Sequence, residues 1–249
     1  MEDFEKRISF LRNTFRNRKI VFFGGAGVSS ASGIPDFRSS SGLFSSPYGE
    51  DAVPADEILS AKCLKENKEL FFDFLWNRMI YPDAMPNSAH KKLAQLEKTG
   101  HQITVVTQNV DGLHQMAGSK NVIELHGNIR DWYCMDCGEK MNLKDVIPLK
   151  NEKGIPVCPK CGGVLRPDMV LYNESLDDRK LSKATFEIFE ADVLIVCGTS
   201  LKVFPAAEII DRFRKEGECL ALINRTDVHM FREPDVIFHE DIEEVFKAL

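Results

Sequence analysis

Short runs of consecutive apolar, mostly β-branched residues recur at 19–23, 103–107, 122–125, 193–197, 219–223 and 236–238. None of them alternates with polar residues, which is the pattern of parallel strands covered on both faces. Between the runs, apolar residues fall three and four apart and predict helices over 65–80, 88–98, 181–190 and 205–215. Pro205 would occupy the first turn of its helix, where the missing N–H costs nothing. The opening stretch, 1–19, is charged throughout and reads as an amphipathic first helix. Strands alternating with helices in this way predict an α/β fold, a Rossmann-like doubly wound parallel sheet.

Two stretches break the rhythm. Residues 39–80 begin as a Ser/Gly/Pro-rich loop and continue as helices, and residues 134–164 hold two cysteine pairs with little that could build a core. Both read as insertions that pack together as a smaller lobe, one helical and one a zinc ribbon. The whole chain, 1–249, is then a single catalytic domain whose large lobe comprises about 1–38, 81–133 and 165–249. Ligands of such folds bind outside the carboxyl ends of the strands, where a second lobe can close the crevice.

Composition adds exclusions. No apolar run approaches the roughly 20 residues a membrane-spanning helix needs, and the charged N-terminus has no apolar leader segment. A cytoplasmic, monomeric protein is expected. The net charge of −6 argues against nucleic-acid binding but suits a lysine-bearing protein partner.

Seven cysteines are an odd number, which disfavours a disulfide framework. Cys134-x-x-Cys137 and Cys158-x-x-Cys161 set two sulfurs on each of two tight knuckles, the spacing of a tetrahedral zinc-thiolate site. Gly138, Gly162 and Gly163 follow the knuckles, where the turn needs a residue tolerant of positive φ. Four protein ligands leave no open position, so the zinc would be structural. Cys63, Cys197 and Cys219 read as buried core residues.

Gly25-Ala26-Gly27 closes the first strand and opens a helix, a setting in which backbone N–H groups cradle a pyrophosphate. A dehydrogenase fingerprint is incomplete here. Ser30 stands in place of the third glycine, and no acidic residue ends a second strand about 20 residues later. Hydride transfer is therefore disfavoured. Polar groups end the other strands too: Gln108, Asn109 and Asp111 after 103–107, His126 after 122–125, Gly198, Thr199 and Ser200 after 193–197, and Asn224 after 219–223. A lone histidine at a strand end is ordinarily a hydrogen-bonded structural residue, but placement beside Asn109 and the glycine turn points His126 towards chemistry. His90, His101, His114, His229 and His239 are expected to be structural.

Taken in order, GAGVSSASGIPDFR at 25–38, TQNVDGLH at 107–114, LHG at 125–127, the four cysteines, GTSLKVFPA at 198–206 and Ile223-Asn224 resemble the sirtuin family of NAD-dependent protein deacylases. The resemblance runs from about residue 19 to the last helix. It implies NAD as a consumed co-substrate, its pyrophosphate on the turn of Gly25, Ala26, Gly27 and Ser30. It places Asp36, Phe37 and Arg38 in a cofactor-binding loop and Gln108, Val110 and Asp111 around nicotinamide. Asn109 would position the ribose. Gly198, Thr199, Ser200, Asn224 and Ile242 would hold the ribose and adenine side. His126 would be the general base, and an acylated peptide would add as a strand between Val170, Leu171 and Tyr172 on one side and Val203 on the other.

Three departures from the family pattern bear on activity. Gly24 stands where threonine is common, and Tyr172-Asn173-Glu174 replaces Phe-Gly-Glu. The subgroup acting on acidic acyl groups uses a tyrosine and an arginine in a pocket helix. Phe71-Phe72-Asp73-Phe74-Leu75 offers neither, which favours a neutral acyl group such as acetyl. A preference for longer acyl chains, ADP-ribosyl transfer to protein, and a non-enzymatic NAD sensor or zinc-ribbon adaptor are the competing readings.

Overall fold

The protein is described by a computed structural model covering residues 2–37, 42–43, 45, 47–49, 51–213 and 217–249. The strands are β1 (Lys19–Gly24), β2 (Gln102–Thr107), β3 (Val122–Glu124), β4 (Gly127–Cys134), β5 (Lys140–Asn142), β6 (Leu165–Met169), β7 (Val193–Cys197), β8 (Cys219–Ile223) and β9 (Val236–Phe238). A six-stranded sheet has the order β3-β2-β1-β7-β8-β9 with every pair parallel. All six predicted strands lie in it. The order reverses between β1 and β7, so the crevice at their carboxyl ends is the topological switch point of a dinucleotide-binding fold.

Alternation along each strand separates two cores. Ile20 and Phe22 of β1, with Ile103, Val105, Val193 and Ile195, face Ile8, Leu11, Leu93, Val245 and Phe246 from helices Glu2–Thr14, Ser88–Lys98 and Ile242–Ala248. Val21 and Phe23, with Val106, Leu194, Val196 and Leu222, face Ala184, Ile188, Ile209, Ile210 and Phe213. Both faces are buried, which is why these strands read as unbroken apolar runs.

Helix 88–98 matches its predicted bounds, and Asn87 caps it. Other helices differ. The stretch predicted as one helix over 65–80 breaks at Asn67, whose side chain accepts from Leu70 N and starts a new helix, Lys68–Phe74. That helix runs on as a π-helical turn, Leu75–Met79. The helix predicted from 181 starts at Asp178, because Asp177 accepts from the backbone N–H groups of Arg179 and Lys180. The α-helix predicted over 205–215 is absent over the described residues. Turns occupy 203–207, and a short 3-10 helix, Glu208–Arg212, delivers Ile209, Ile210 and the extended Phe213 to the sheet. Pro205 thus precedes that helix instead of opening it; residues 214–216 lie outside the described residues.

A smaller lobe has its own core. Phe71, Phe72, Phe74 and Leu75 from the helical insertion pack with Trp132 and Leu165 from an antiparallel sheet of order β5-β4-β6, and with Val146 from the short helix Leu143–Val146. Trp76 stacks on Trp132 with ring centroids 5.3 Å apart and planes 5° from parallel. Its Nε1 donates to the Gly154 carbonyl at 2.7 Å, joining the two insertions. β4 and β6 lie largely outside 134–164, so the ribbon's sheet draws on residues to either side of the cysteine segment.

Phe22 is fully buried in β1 and meets Phe246 edge-on, with ring centroids 5.9 Å apart. Phe22→Ala should lower stability by about 3–5 kcal/mol. Urea denaturation would register this as a lower midpoint at an unchanged slope.

Candidate functional site

A cavity of about 1090 Å3 opens between the carboxyl edge of the large sheet and the smaller lobe. Its floor is the switch point. There Gly25 N donates to Cys197 O at 3.0 Å and Gly27 N to Gly198 O at 2.9 Å, so the two turns after β1 and β7 lie backbone against backbone. A Cβ on Gly25 would stand 2.8 Å from Gly198 O, and one on Gly27 2.9 Å from Gly198 Cα. Gly198 itself has φ of 59°. The turn continues as a 3-10 helix, Ala26–Ser32, rather than an α-helix. Gly24 extends β1 between Thr107 and Cys197, and a Cβ there would press on the Phe22 ring at 2.7 Å.

Ala26, Gly27, Ser30, Asp36 and Phe37 lie on the cavity wall; Arg38 lies outside the described residues. From β2 come Gln108, Asn109 and Val110. Asn109 is buried and its Nδ2 donates to Ser29 Oγ at 3.1 Å; Ser29 Oγ donates in turn to Asp111 Oδ2 at 2.7 Å. Asp111 is therefore turned away from the wall, where it also accepts from Leu113 N at 2.9 Å. Ser29, wholly buried, was not singled out in the sequence. One serine among the small residues of a turn carries no periodic signal, and only the fold brings it between Asn109 and Asp111.

His126 stands at the turn joining β3 to β4. Its Nδ1 is 3.0 Å from the Gln108 carbonyl, an acceptor only, so Nδ1 carries the proton and Nε2 keeps its lone pair. Burial pulls the imidazole below its usual pKa of 6.5, opposed by the Gln108 bond. The ring is therefore neutral at pH 7 and able to accept a proton. Gly127 follows with φ of 70°, where a Cβ would lie 2.1 Å from Asp168 O.

Gly198, Thr199, Ser200, Asn224 and Ile242 complete the wall at the far end. Asn224 Nδ2 donates to Thr226 O at 2.7 Å, which braces its own loop. Val170, Leu171 and Tyr172 line the cavity too, as do Val203 and Phe204. Val170 N donates to His126 O at 2.9 Å, and Tyr172 bridges to Ser60 in parallel register. The segment is thus extended, with one edge already paired. Asn173 has φ of 69°, a conformation asparagine tolerates better than most residues, so the expected glycine is replaced without losing the turn. Glu174 clasps Arg166 through two bonds of 2.6 and 3.0 Å and fixes the end of that segment.

The stretch 71–75, matched to the pocket helix, does not line the cavity, and its Phe71, Phe72, Phe74 and Leu75 are buried in the small-lobe core; Leu59, Met79, Met169 and Leu171 do line it. The wall in that region is apolar and uncharged.

The four cysteine sulfurs lie within 4.8 Å of one another. Cys134 and Cys161 sulfurs are 3.5 Å apart, and Cys137 and Cys158 sulfurs 3.8 Å apart. A tetrahedral zinc with bonds of about 2.3 Å needs sulfurs roughly 3.8 Å apart, whereas a disulfide needs about 2.05 Å. The set therefore fits a zinc ion. None of the four lies on the cavity wall.

A Rossmann-like crevice with a glycine turn at its switch point and a neutral histidine beside it defines a dinucleotide-using enzyme class rather than a hydride-transfer fingerprint. The Sir2 family pattern matches residues 25–205, and the chain belongs to that family. It is 49% identical over 230 residues to an NAD-dependent protein deacetylase of Clostridium acetobutylicum, covering 92% of each chain. Against one of Clostridium perfringens it is 44% identical over 242 residues, covering 97% of each. A solved Sir2 structure with p53 peptide and NAD+ superposes with a TM-score of 0.83 at 35% identity, covering 96% of this chain and 95% of that one. Another, with deacetylated p53 peptide and 3'-O-acetyl-ADP-ribose, gives 0.85 at 33% identity, covering 100% and 96%.

Both tryptophans of the chain sit in the stack beside the cysteine ribbon. A strong chelator should therefore extract about one zinc per chain and shift tryptophan emission to the red as Trp132 becomes wetted. An unmoved spectrum after metal loss would refute the structural role. A general base at His126 would have to be neutral, and burial lowers its pKa, so the acid limb of the rate profile is expected below the usual imidazole pKa of 6.5.

Proposed function

We propose that the protein is an NAD-dependent protein lysine deacetylase. The observation that carries the reading is the neutral His126, its Nε2 unprotonated, in one cavity with Asn109 and the glycine turn, and bonded through its backbone to an extended segment beside the apolar Leu59, Met79 and Met169. NAD would lie across the switch point as a substrate that is consumed. Ala26, Gly27 and Ser30 would meet its pyrophosphate, and Thr199, Ser200, Asn224 and Ile242 its adenosine side. Asp36, Phe37 and Arg38 would cover it. Gln108 and Val110 would line the nicotinamide pocket, with Asp111 acting behind them through Ser29.

The acylated peptide would add as a strand between Val170, Leu171 and Tyr172 and the segment at Val203, held by backbone hydrogen bonds. Its acyl-lysine would pass inward along Leu59, Met79 and Met169, surfaces that suit a neutral acetyl group and leave longer chains open. The acyl oxygen attacks the ribose carbon as the bond to nicotinamide breaks. His126 removes the proton from the ribose hydroxyl chain, and that hydroxyl oxygen bonds to the acyl carbon. One water then adds to the same carbon as its bond to the lysine nitrogen breaks, so the acyl group passes to the sugar and the amine takes up a proton. Lysine, nicotinamide and O-acetyl-ADP-ribose leave.

The zinc-thiolate ribbon holds the smaller lobe and contributes structure only. The large lobe and the smaller lobe, which takes in β4 and β6 as well as the insertions 39–80 and 134–164, act as one catalytic unit. We place the protein in the cytoplasm as a monomer that binds acylated proteins and not nucleic acid. Among the described residues no helix is long and apolar enough to cross a membrane.

Nicotinamide release should require both NAD and an acetylated peptide. His126→Ala should cut kcat by about 10²–10⁴-fold with an unchanged thermal transition. Label from NAD should appear in a small acyl-ADP-ribose; label retained on protein would instead indicate ADP-ribosyl transfer.

A further inference from the structure

Glu124 is absent from the cavity wall, yet it gathers the two segments that carry the reacting groups. It ends β3, two residues before His126, and its side chain is only 11% exposed. Its Oε1 accepts from Arg130 at 2.7 Å and its Oε2 from Asn128 Nδ2 at 3.2 Å. The Gln115 side chain supplies a third donor. Glu124 and Asn128 therefore close a bracket over the turn that presents His126. Asn128 in turn accepts from the backbone N–H groups of Arg130 and Asp131 at 2.9 and 2.8 Å, inside β4, where its register against β6 shifts between Gly127 and Trp132.

Gln115 belongs to the helix Leu113–Ala117, which starts two residues after Asp111. Arg130 lies flat over Gly112, where a Cβ would be 2.3 Å from its Nε. Ile129 N donates to Val110 O at 2.9 Å. One carboxylate thus ties the His126 turn to the loop of Asn109, Val110 and Asp111 from behind.

We infer that Glu124 is a positioning residue of the reaction: its carboxylate, shared among Arg130, Asn128 and Gln115, sets the distance between the base on one loop and the ribose-holding amide on the other. The physical reason lies in the acceptors. A carboxylate offers four lone-pair sites and no donor, and three donors converge on it. An amide keeps the shape but turns one end into a donor facing donors. Misplacement of a base by a fraction of an ångström falls mainly on the chemical step. The inference rests on His126 being the base.

The test is Glu124→Gln, alone and with Arg130→Gln, which removes the half-buried cation that the single change leaves less compensated. Steady-state kinetics with NAD and an acetylated peptide would be compared with NMR of 15N-histidine protein. There the Nδ1–H of His126, assigned by its loss in His126→Ala, reports the bond to Gln108. We expect kcat to fall about 10–100-fold with both KM values within about twofold, and the Nδ1–H signal to shift or broaden in a folded protein. A folded variant with wild-type kcat and an unchanged signal overturns the inference. So does a loss that tracks only a lowered melting temperature and raises KM in step. A His126→Ala variant of undiminished rate overturns the base assignment and this inference together, and is distinguishable from failure of the clasp alone.

Discussion

Gly25, Gly27 and Gly198 meet backbone to backbone where the strand order reverses, and the groups on the cavity wall are placed relative to that contact. Side chains at these positions would hold the two turns apart. Without them, the turn after β1 hydrogen-bonds directly to the turn after β7. A phosphate-bearing ligand can then approach bare backbone. The contact also brings Ser29 within reach of the loop after β2, so a packing constraint at the floor becomes an orientation constraint on Asn109.

A second layer of order comes from polar groups with nowhere else to go. Ser29, Asn109 and Asn87 are all buried, and burying a polar atom is tolerable when it is hydrogen-bonded, as theirs are. Asn87 shows how far this reaches. It caps helix 88–98 and donates to Val28 O at 2.7 Å and Ser32 Oγ at 3.0 Å, holding the 3-10 turn from below. His90 completes the cap with its Nδ1, and desolvation lowers its pKa to about 4. It is a neutral structural residue, as expected, but one that supports the glycine turn.

The smaller lobe obeys a different logic. Its insertions are too short to fold by themselves, and each supplies one half of a shared core, with Trp76 against Trp132 at the seam. Four thiolates on one ion would lock the ribbon half, and the Arg166–Glu174 pair carries that order to the extended segment at the cavity mouth. The helical half contributes Leu59 and Met79 to the cavity, so the shape of its apolar wall depends on packing across the seam.

Much of this was legible from residue order alone. Strands buried on both faces announce themselves as apolar runs, and paired knuckle cysteines announce a metal, because both signals are local in the chain. Helix ends were less legible: the capping by Asn67 and Asp177 is local, yet the 3-10 path through 208–212 follows from where Ile209 and Phe213 must land on the sheet. The part played by Ser29, the inward turn of Asp111 and the clasp at Glu124 could come only from tertiary structure. Each depends on hydrogen bonds between segments far apart in sequence, and no periodicity records those. Likewise, the stretch 71–75 matched a pocket helix by position, but packing against Trp132 and Leu165 turns its apolar side chains into the core. The sequence by itself determined the sheet, the metal ribbon and the strand ends that bear function, because those follow from local residue chemistry. Tertiary structure alone decided which atoms face the cavity, because that is set by packing between elements.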